Sequence, residues 1–438
     1  MVEAEVTIER MCYGGAGFGR LEGKACFVPF TAPGDRARFR VVKEKRSFLE
    51  GELLELCSPS QLRVVPACPV FGRCGGCDWQ HLPYGEQLRQ KGEIFGDSLR
   101  RIGRVESEAL LPVAASEREY GYRSRIQLKL ARKGSSTALG FFRAGSHEVV
   151  DAACGCAIAD PLLNRIADEF RALLPQVPEM DAVVQIDLAI GDDGESIAVL
   201  HVELRAAQAL KRALSAAAAA LPSLTGLFVR GGAKSRIEKV FGVESLSYGI
   251  PAGFLPDGPE LRLRFGRGGF SQVNYRQNLH LIASVFKMAA LTGTERVLDL
   301  YCGNGNISLP MAGYAAQLHG VEGYAPSIDD ARANALANGV ANVSFEVNDV
   351  PAAVQRLAAC GERFDLVILD PPRSGAEAVG EIARLAPAAI VYVSCDPPTL
   401  SRDLALLGES GYRVVCSQPV DMFPQTYHLE SVTLLKRL

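Results

Sequence analysis

The sequence has little charge of either sign to spare: its formal net charge is −3 over 438 residues, so it is not a chain that is basic throughout. Its first six residues contain neither the basic start nor the apolar core of a signal peptide, so no secretory leader is expected. Long apolar runs are missing too. The Ala-rich tract at 215–221 is closed by Pro222 and Ser223, which predicts a helix rather than a membrane span. Disordered and fibrous compositions are excluded by 48% apolar and 22% charged residues and a mean hydropathy of +0.08. The expectation is a cytoplasmic globular protein without a membrane partner, long enough for two or three domains. Nothing in the sequence signals an obligate protein partner or an oligomeric state.

What the chain does have is cysteine, twelve in all. In a reducing compartment disulfides are rare, so clustered cysteines are read as ligands or catalysts. Cys68, Cys74 and Cys77 lie close together, with Gly75 and Gly76 allowing a tight wrap. Three such thiols suit an iron–sulfur cluster, with zinc as the alternative, and Cys154 and Cys156 are both candidates for a fourth ligand. Cys12, Cys26, Cys57, Cys302, Cys360 and Cys416 stand alone, and core packing is their default reading. Basic residues also cluster locally. Arg36, Arg38, Arg40, Lys43, Lys45 and Arg46 face only Glu44 in sequence, while Arg123, Arg125, Lys129, Arg132, Lys133 and Arg143 have no acidic neighbour. These stretches are either a surface that tracks phosphates or solvated strand faces.

Residues 1–58 read as five short strands with Gly-rich turns, through 2–8, the Gly-rich stretch 14–17, 24–29, 36–42 and 51–56, a small barrel of the oligonucleotide-binding type. Of its aromatics, Phe18, Phe27, Phe30 and Phe39, most are expected in the core, with one or two free to stack on bases. Residues 59–270 form an α+β pattern, with helices at 84–102 and 162–174 and strands at 124–130 and 140–150. From 271 to 438, strands at 296–300, 316–322, 343–347, 364–369, 389–394, 412–418 and 431–436 mostly alternate with helices such as 327–338 and 399–408. That alternation predicts an α/β, doubly wound, mostly parallel sheet.

Three loops of this last part carry chemistry. An apolar strand ends at Tyr301-Cys302-Gly303-Asn304-Gly305-Asn306, a Gly-x-Gly turn that lets backbone approach a ligand. The third glycine of the dinucleotide fingerprint is absent, since Ser308 stands in its place, which disfavours a nicotinamide cofactor. Glu322 ends the next strand, where a carboxylate takes ribose hydroxyls; together these fit S-adenosylmethionine. Asp370-Pro371-Pro372-Arg373 follows another apolar strand. Amino-group methyltransferases carry a similar Asp-Pro-Pro followed by an aromatic, but here Arg373 takes that place. Finally Cys395, between Ser394 and Asp396-Pro397-Pro398, ends a strand in a turn that presents the thiol, and Glu430 lies near it on the next motif. Uracil C5 is a weak nucleophile; a thiolate adding to C6 activates it, and a carboxylate then removes the C5 proton. The bland readings are a packed cysteine and a surface carboxylate.

These residues resemble the RNA 5-methyluridine methyltransferase family, most closely its bacterial large-subunit ribosomal RNA members with a TRAM domain and a four-iron–four-sulfur cluster. The motifs that carry the likeness are Cys68-x5-Cys74-Gly75-Gly76-Cys77, Asp299-Leu300-Tyr301-Cys302-Gly303, Ser394-Cys395-Asp396-Pro397 and His428-Leu429-Glu430-Ser431. The resemblance implies an enzyme that uses S-adenosylmethionine to make 5-methyluridine in RNA, with a flipped-out or single-stranded target base. It implies cluster ligands at Cys68, Cys74, Cys77 and, from the frame Val150-Asp151 to Ile158 and Pro161, Cys156. It implies cofactor contacts at Gln272 (in Phe270-Ser271-Gln272-Val273-Asn274), Tyr301, Asn306, Glu322, Asp349 and Asp370, with Asn348 a neighbour able to replace Asp349. The nucleophile falls on Cys395 and the base on Glu430. Asp396 and Tyr427 depart from members that have Asn and a small residue there. Two alternatives stay open, the same methyl transfer to transfer RNA and a catalytically silent RNA-binding protein.

Overall fold

The computed structural model describes residues 2–134, 136–232, 236–266, 268–269 and 271–438. Phe270, named above, lies outside the described residues, as does the side chain of Lys133. Among the described residues no helix is long and apolar enough to cross a membrane.

The N-terminal strands β1 (Glu3–Met11), β2 (Gly17–Leu21), β3 (Lys24–Val28), β4 (Arg36–Glu44) and β5 (Phe48–Ser58) close into a barrel in the order β1-β2-β3-β5-β4. Alternate residues Val6, Ile8, Cys26, Val28, Phe39 and Leu49 fill it. The strand β2 occupies part of the region read as turn. Its glycines permit close strand contact, since a Cβ on Gly19 would sit 2.3 Å from the Thr7 carbonyl oxygen. Phe18 and Phe39 are buried, whereas Phe27 and Phe30 are half-buried. The first basic stretch is not a free cationic surface. Because β1 and β5 flank β4, Arg36 pairs with Glu5 (2.6 Å), Arg38 with Glu55 (3.0 Å), Arg40 with Glu52 (2.9 Å) and Lys43 with Glu50 (2.7 Å). Acids distant in sequence are neighbours across the ladder, and such exposed pairs are worth about 0–1 kcal/mol each.

After helix α1 (Tyr84–Arg101) comes a mixed sheet in the order β12-β11-β10-β9-β6-β7-β8. Its strands are β6 (Arg125–Lys133), β7 (Ser136–Phe142), β8 (Val149–Asp151), β9 (Val183–Ile190), β10 (Ser196–Val202), β11 (Gly226–Gly231) and β12 (Ile237–Gly242). The run 140–150 is thus two strands. A turn intervenes, in which the Arg143 N–H donates to Glu148 O at 2.9 Å and Gly145 takes a positive φ of 67°. Helices α2 (Pro161–Leu173) and α3 (Ala207–Ala216) pack one face of the sheet through Leu163, Ile166, Phe170, Leu210 and Leu214. The Ala-rich tract is α-helical only to Ala216 and then tightens into a single 3-10 turn, Ala218–Ala220.

A hairpin, β13 (Ser245–Ile250) and β14 (Leu261–Gly266), precedes α4 (Tyr275–Ala289) and shares its core: Leu246, Tyr248, Leu263 and Phe265 pack with Leu281, Ile282 and Val285. The C-terminal part continues as β15 (Arg296–Leu300), α5 (Ser308–Ala312), β16 (Gln317–Glu322), α6 (Ala325–Ala337), β17 (Val343–Val347), α7 (Val350–Ala359), β18 (Leu366–Leu369), α8 (Val379–Arg384), β19 (Ala389–Ser394), α9 (Pro397–Glu409), β20 (Tyr412–Val420) and β21 (Glu430–Arg437). Its sheet runs β17-β16-β15-β18-β19-β21-β20, parallel from β17 to β19, with β21 inserted antiparallel. The chain winds outward from β15 to β17 and then returns to β18 on the other side of β15. That reversal opens a crevice at the carboxyl ends of β15 and β18.

Helix α1 packs on this sheet's helical layer, with Phe95 and Leu99 in one core with Leu400, Leu404 and Leu407. Lys91 on α1 is fully buried and donates to Asp421 at 2.6 Å and to the Phe423 carbonyl at 3.0 Å. Burial pulls its ammonium below the ordinary lysine range, while Asp421 pushes it back up. One turn earlier, Gln87 Nε2 donates to Gln425 Oε1 at 2.9 Å, and the Gln425 N–H donates back to Gln87 Oε1 at 2.9 Å. Replacing Lys91 with Met leaves Asp421 buried and uncompensated and is expected to cost about 3–5 kcal/mol in urea unfolding. The double variant Lys91→Met, Asp421→Asn is expected to recover more than half of that loss.

Candidate active site

The Gly loop after β15 begins with Tyr301 at a positive φ of 63°, followed by Gly303 (56°) and Gly305 (86°), and a Cβ on Gly305 would crowd Leu309 at 3.1 Å. This backbone lines a small pocket together with Tyr248, Ser271, Gln272, Asp299, Asn306 and Asp370. Four of the residues singled out in the sequence, Gln272, Tyr301, Asn306 and Asp370, therefore meet in one place. Asn306 is already engaged: its Oδ1 accepts from Tyr248 Oη (2.9 Å) and Asn278 Nδ2 (2.8 Å), and its Nδ2 donates to Asn278 Oδ1 (2.9 Å). Glu322, at the end of β16, accepts from the Tyr324 N–H at 2.7 Å. Asp349 is exposed and caps α7 by accepting from the Ala352 N–H at 3.1 Å, while the Asn348 amide donates to Glu346 at 2.8 Å.

Asp299 joins this group unannounced. It is buried on β15, its Oδ2 accepts from Ser308 Oγ at 2.5 Å, and its Oδ1 finds no hydrogen-bond partner among the described residues. The available signal was an acid inside an apolar strand, a placement that is costly without purpose. Burial foremost, then the charges of Asp370 and Glu322, push Asp299 up to about 7, against the Ser308 hydroxyl. Burial and Glu322 push Asp370 likewise to about 7. Two buried carboxyl groups raised in this way beside the Glu322 carboxylate suit a cationic ligand. S-adenosylmethionine, with a sulfonium and an ammonium, fits that donor set.

On the other side of Asp370 lies the thiol. The β19–β21 register pairs Ser394 with Ser431, so the next step sets Cys395 opposite Glu430. Burial foremost, then the charges of Glu430 and Asp370, push Cys395 up to about 12; Arg373 pulls it down. Glu430 is buried, and burial with the Asp370 charge raises it well above the ordinary carboxylate range, again opposed by Arg373. Arg373 also lies 3.5 Å from His428 Nδ1. The Arg373 side chain, which the sequence offered only as a missing aromatic, is thus the cation facing both acid and thiol. Cys57 and Cys360, read as packed, are exposed, because they sit at the end of the last barrel strand and at the C-cap of α7.

Cys68, Cys74, Cys77 and Cys156 line a different cavity, of about 310 Å³, with Phe71, Ile126 and Phe141. Cys154 is exposed and opens instead onto an adjoining outer pocket. The Gly75 N–H donates to Phe142 O at 2.9 Å, and the Cys156 N–H donates to Asn164 Oδ1 at 2.8 Å, which fixes the two loops that carry the thiols. Burial foremost, with the neighbouring sulfurs Cys156 and Cys68 among the further causes, raises Cys74 to about 11. Among the described residues, no group of three or more His, Cys, Asp or Glu side chains is drawn in tightly enough to hold a metal ion.

Comparison with known proteins gives these sites a context. The family model described as tRNA (Uracil-5-)-methyltransferase matches residues 84–438, and a TRAM domain model matches residues 3–54. The chain is 36% identical to the 23S rRNA (uracil(1939)-C(5))-methyltransferase of Yersinia enterocolitica, over 98% of this chain and 94% of that protein. It is 34% identical to an uncharacterized RNA methyltransferase of Thermosynechococcus vestitus, over 98% and 97% of the two chains. The fold matches the crystal structure of Pyrococcus abyssi tRNA (uracil-54, C5)-methyltransferase in complex with S-adenosyl-L-homocysteine, with a TM-score of 0.73, 24% identity, and coverage of 98% of this chain and 99% of that one. The barrel, the doubly wound sheet and these matches together place the chain in the tRNA (uracil-5-)-methyltransferase family, S-adenosylmethionine-dependent enzymes that methylate RNA uracil at C5, here with a TRAM domain at residues 3–54.

Proposed function

We propose that this chain methylates C5 of one uridine in 23S ribosomal RNA by covalent catalysis through Cys395. The observation that carries the reading is the convergence of Cys395, Glu430, Asp370 and Arg373 at the carboxyl ends of β18 and β19, beside the Asp299 pocket. The ribosomal target is supported by the printed activity of relatives such as the Yersinia enzyme, matched along nearly the whole chain.

S-adenosylmethionine supplies a methyl group that leaves its sulfonium without the bonding pair. Gln272, Tyr301, Asn306, Glu322, Asp349 and Asp370 hold it in this reading, with the orphaned Asp299 oxygen as a further acceptor. Asn306 contributes mainly by fixing Tyr248 and Asn278, since its own side chain is already engaged. Cys395 releases its thiol proton to solvent, the thiolate Sγ adds to uracil C6, and the ring pair moves to C5 and O4, making C5 the nucleophile that takes the methyl. Glu430 then accepts the C5 proton, and the returning pair expels Cys395 Sγ. A carboxylate held high by burial is a stronger base once ionised, which removal of a proton from carbon requires. Arg373 faces the developing thiolate and favours it.

In the same reading the chain is organised as a TRAM barrel at 1–58 that binds RNA, a central part at 59–270 and a methyltransferase domain at 271–438. Cys68, Cys74, Cys77 and Cys156 hold a four-iron–four-sulfur cluster. Four free thiols on one cavity are a donor set suited to it, and as methyl transfer involves no oxidation or reduction its role is structural. The cavity wall favours Cys156 over Cys154 as the fourth ligand.

Replacing Cys395 with Ser is expected to lower single-turnover methylation at least about a thousandfold. Glu430→Gln is expected to accumulate a denaturation-resistant protein–RNA adduct carrying the new methyl group, seen as a shifted band on a denaturing gel. Retained activity in Cys395→Ser would eliminate the covalent route. Mapping 5-methyluridine in 23S ribosomal RNA from a deletion strain is expected to show one position lost; an intact ribosomal profile with a change in transfer RNA would move the target. Anaerobically purified protein is expected to contain iron and sulfide with broad visible absorption, lost in Cys156→Ala and kept in Cys154→Ala, and stoichiometric zinc instead would overturn the cluster.

A further inference from the structure

The turn between β1 and β2 does not end in solvent; it ends against the loop that presents the nucleophile. Tyr13 Oη donates to Asp396 Oδ2 at 2.5 Å, and the Tyr13 ring meets Tyr427 edge-on, with centroids 5.4 Å apart. Tyr427 in turn lies on the His428 ring at 4.1 Å. The turn is anchored from below, where Trp79 Nε1 donates to the Gly15 carbonyl at 3.0 Å. Gly15 has a positive φ of 88°, and a Cβ there would stand 3.1 Å from both Asp78 and Tyr427, so this close approach requires glycine.

Asp396 follows Cys395 directly and caps α9. Its Oδ1 accepts from the Thr399 N–H (3.0 Å) and the Thr399 hydroxyl (2.6 Å), which leaves Oδ2 to Tyr13. We propose that Tyr13 is a positioning residue for methyl transfer: the barrel turn locks the Asp396 carboxylate onto the α9 cap, and so holds the backbone that presents Cys395 Sγ. This rests on Cys395 being the nucleophile. The groups facing the thiol are Glu430 on β21, Asp370 and Arg373 after β18, and Asp396 on its own turn. Of these acids, Asp396 is the one whose charge is shared with a donor from the barrel. Without Tyr13, Oδ2 loses that donor, the carboxylate is freer to leave the cap, and its charge bears more fully on the neighbouring thiol. Because the donor belongs to the barrel, the nucleophile turn is complete only when the barrel is docked.

The test uses the full chain with Tyr13→Phe, which removes only the hydroxyl of a residue that is 38% exposed. Single-turnover methylation is expected to fall about three- to tenfold, with KM for RNA changed less than about twofold. Alkylation of Cys395 by iodoacetamide without RNA, read by mass spectrometry of its peptide at pH 8, is expected to slow by a similar factor. Tyr13→Ala should add a further loss from the missing ring contact. Unchanged turnover and alkylation would overturn the proposal, as would a loss confined to KM with normal alkylation, which would make Tyr13 an RNA contact. Cys395→Ala separates the two ideas. If it still methylates RNA, the covalent reading fails and the proposal with it; if it is inactive while Tyr13→Phe behaves as wild type, only the role of Tyr13 fails.

Discussion

A fully buried ion pair, Lys91 with Asp421, is the constraint on which the geometry of the site depends. Two unpaired charges at that depth would each cost several kcal/mol, so α1 and the loop at 421–427 have few ways to separate. The Gln87–Gln425 exchange, and the Asp78 and Trp79 N–H groups donating to Gln425 O at 3.0 Å, fasten the same loop further. Gln425 takes a positive φ of 69°, a strained conformation for a side-chain-bearing residue that these bonds hold in place. From this loop the chain passes through Tyr427 and His428 into Glu430 and β21. The position of Glu430 opposite Cys395 is thus set partly by a helix more than three hundred residues upstream.

The second organising force is shared negative charge. Asp299, Asp370, Glu322 and Glu430 cluster at the crevice, and burial raises Asp299, Asp370 and Glu430 together. Such a cluster is unfavourable unless a cation arrives, and the proposed methyl donor brings one. Arg373 is positioned at the opposite side, toward the thiol. The same loop, Asp370 to Arg373, therefore lines the Gly-loop pocket with its first residue and faces Cys395, the proposed nucleophile, with its fourth. That division gives a physical reason for arginine where amino-group methyltransferases carry an aromatic.

Much of the architecture was legible because it follows from local patterns. The period-two barrel strands and the apolar strands alternating with helices in the C-terminal part each reflect burial of a face that its own sequence defines. The Gly-x-Gly turn of Gly303 and Gly305 announced a close backbone approach, and the structure uses positive φ at both. Errors arose where a neighbour came from elsewhere in the chain. The basic run of β4 looked unopposed because its glutamates lie on β1 and β5. The run 140–150 was read as one strand although Gly145-Ser146 inside it mark a turn, because the apolar residues Phe141, Phe142, Val149 and Val150 on either side share a strand-like pattern.

The sequence by itself determined the kinds of element, the thiol-rich loops and the candidate residues Cys395, Glu430 and Asp370, because spacing, turn chemistry and residue type are local properties. Only the tertiary structure decided that Asp299 joins the Gly-loop pocket, that Arg373 faces the thiol, that Cys68, Cys74, Cys77 and Cys156 share one cavity, and that Tyr13 reaches Asp396 across 383 residues. The physical reason is that desolvation and Coulomb interaction depend on distance in space, and the strand register that sets those distances is the outcome of packing the whole chain.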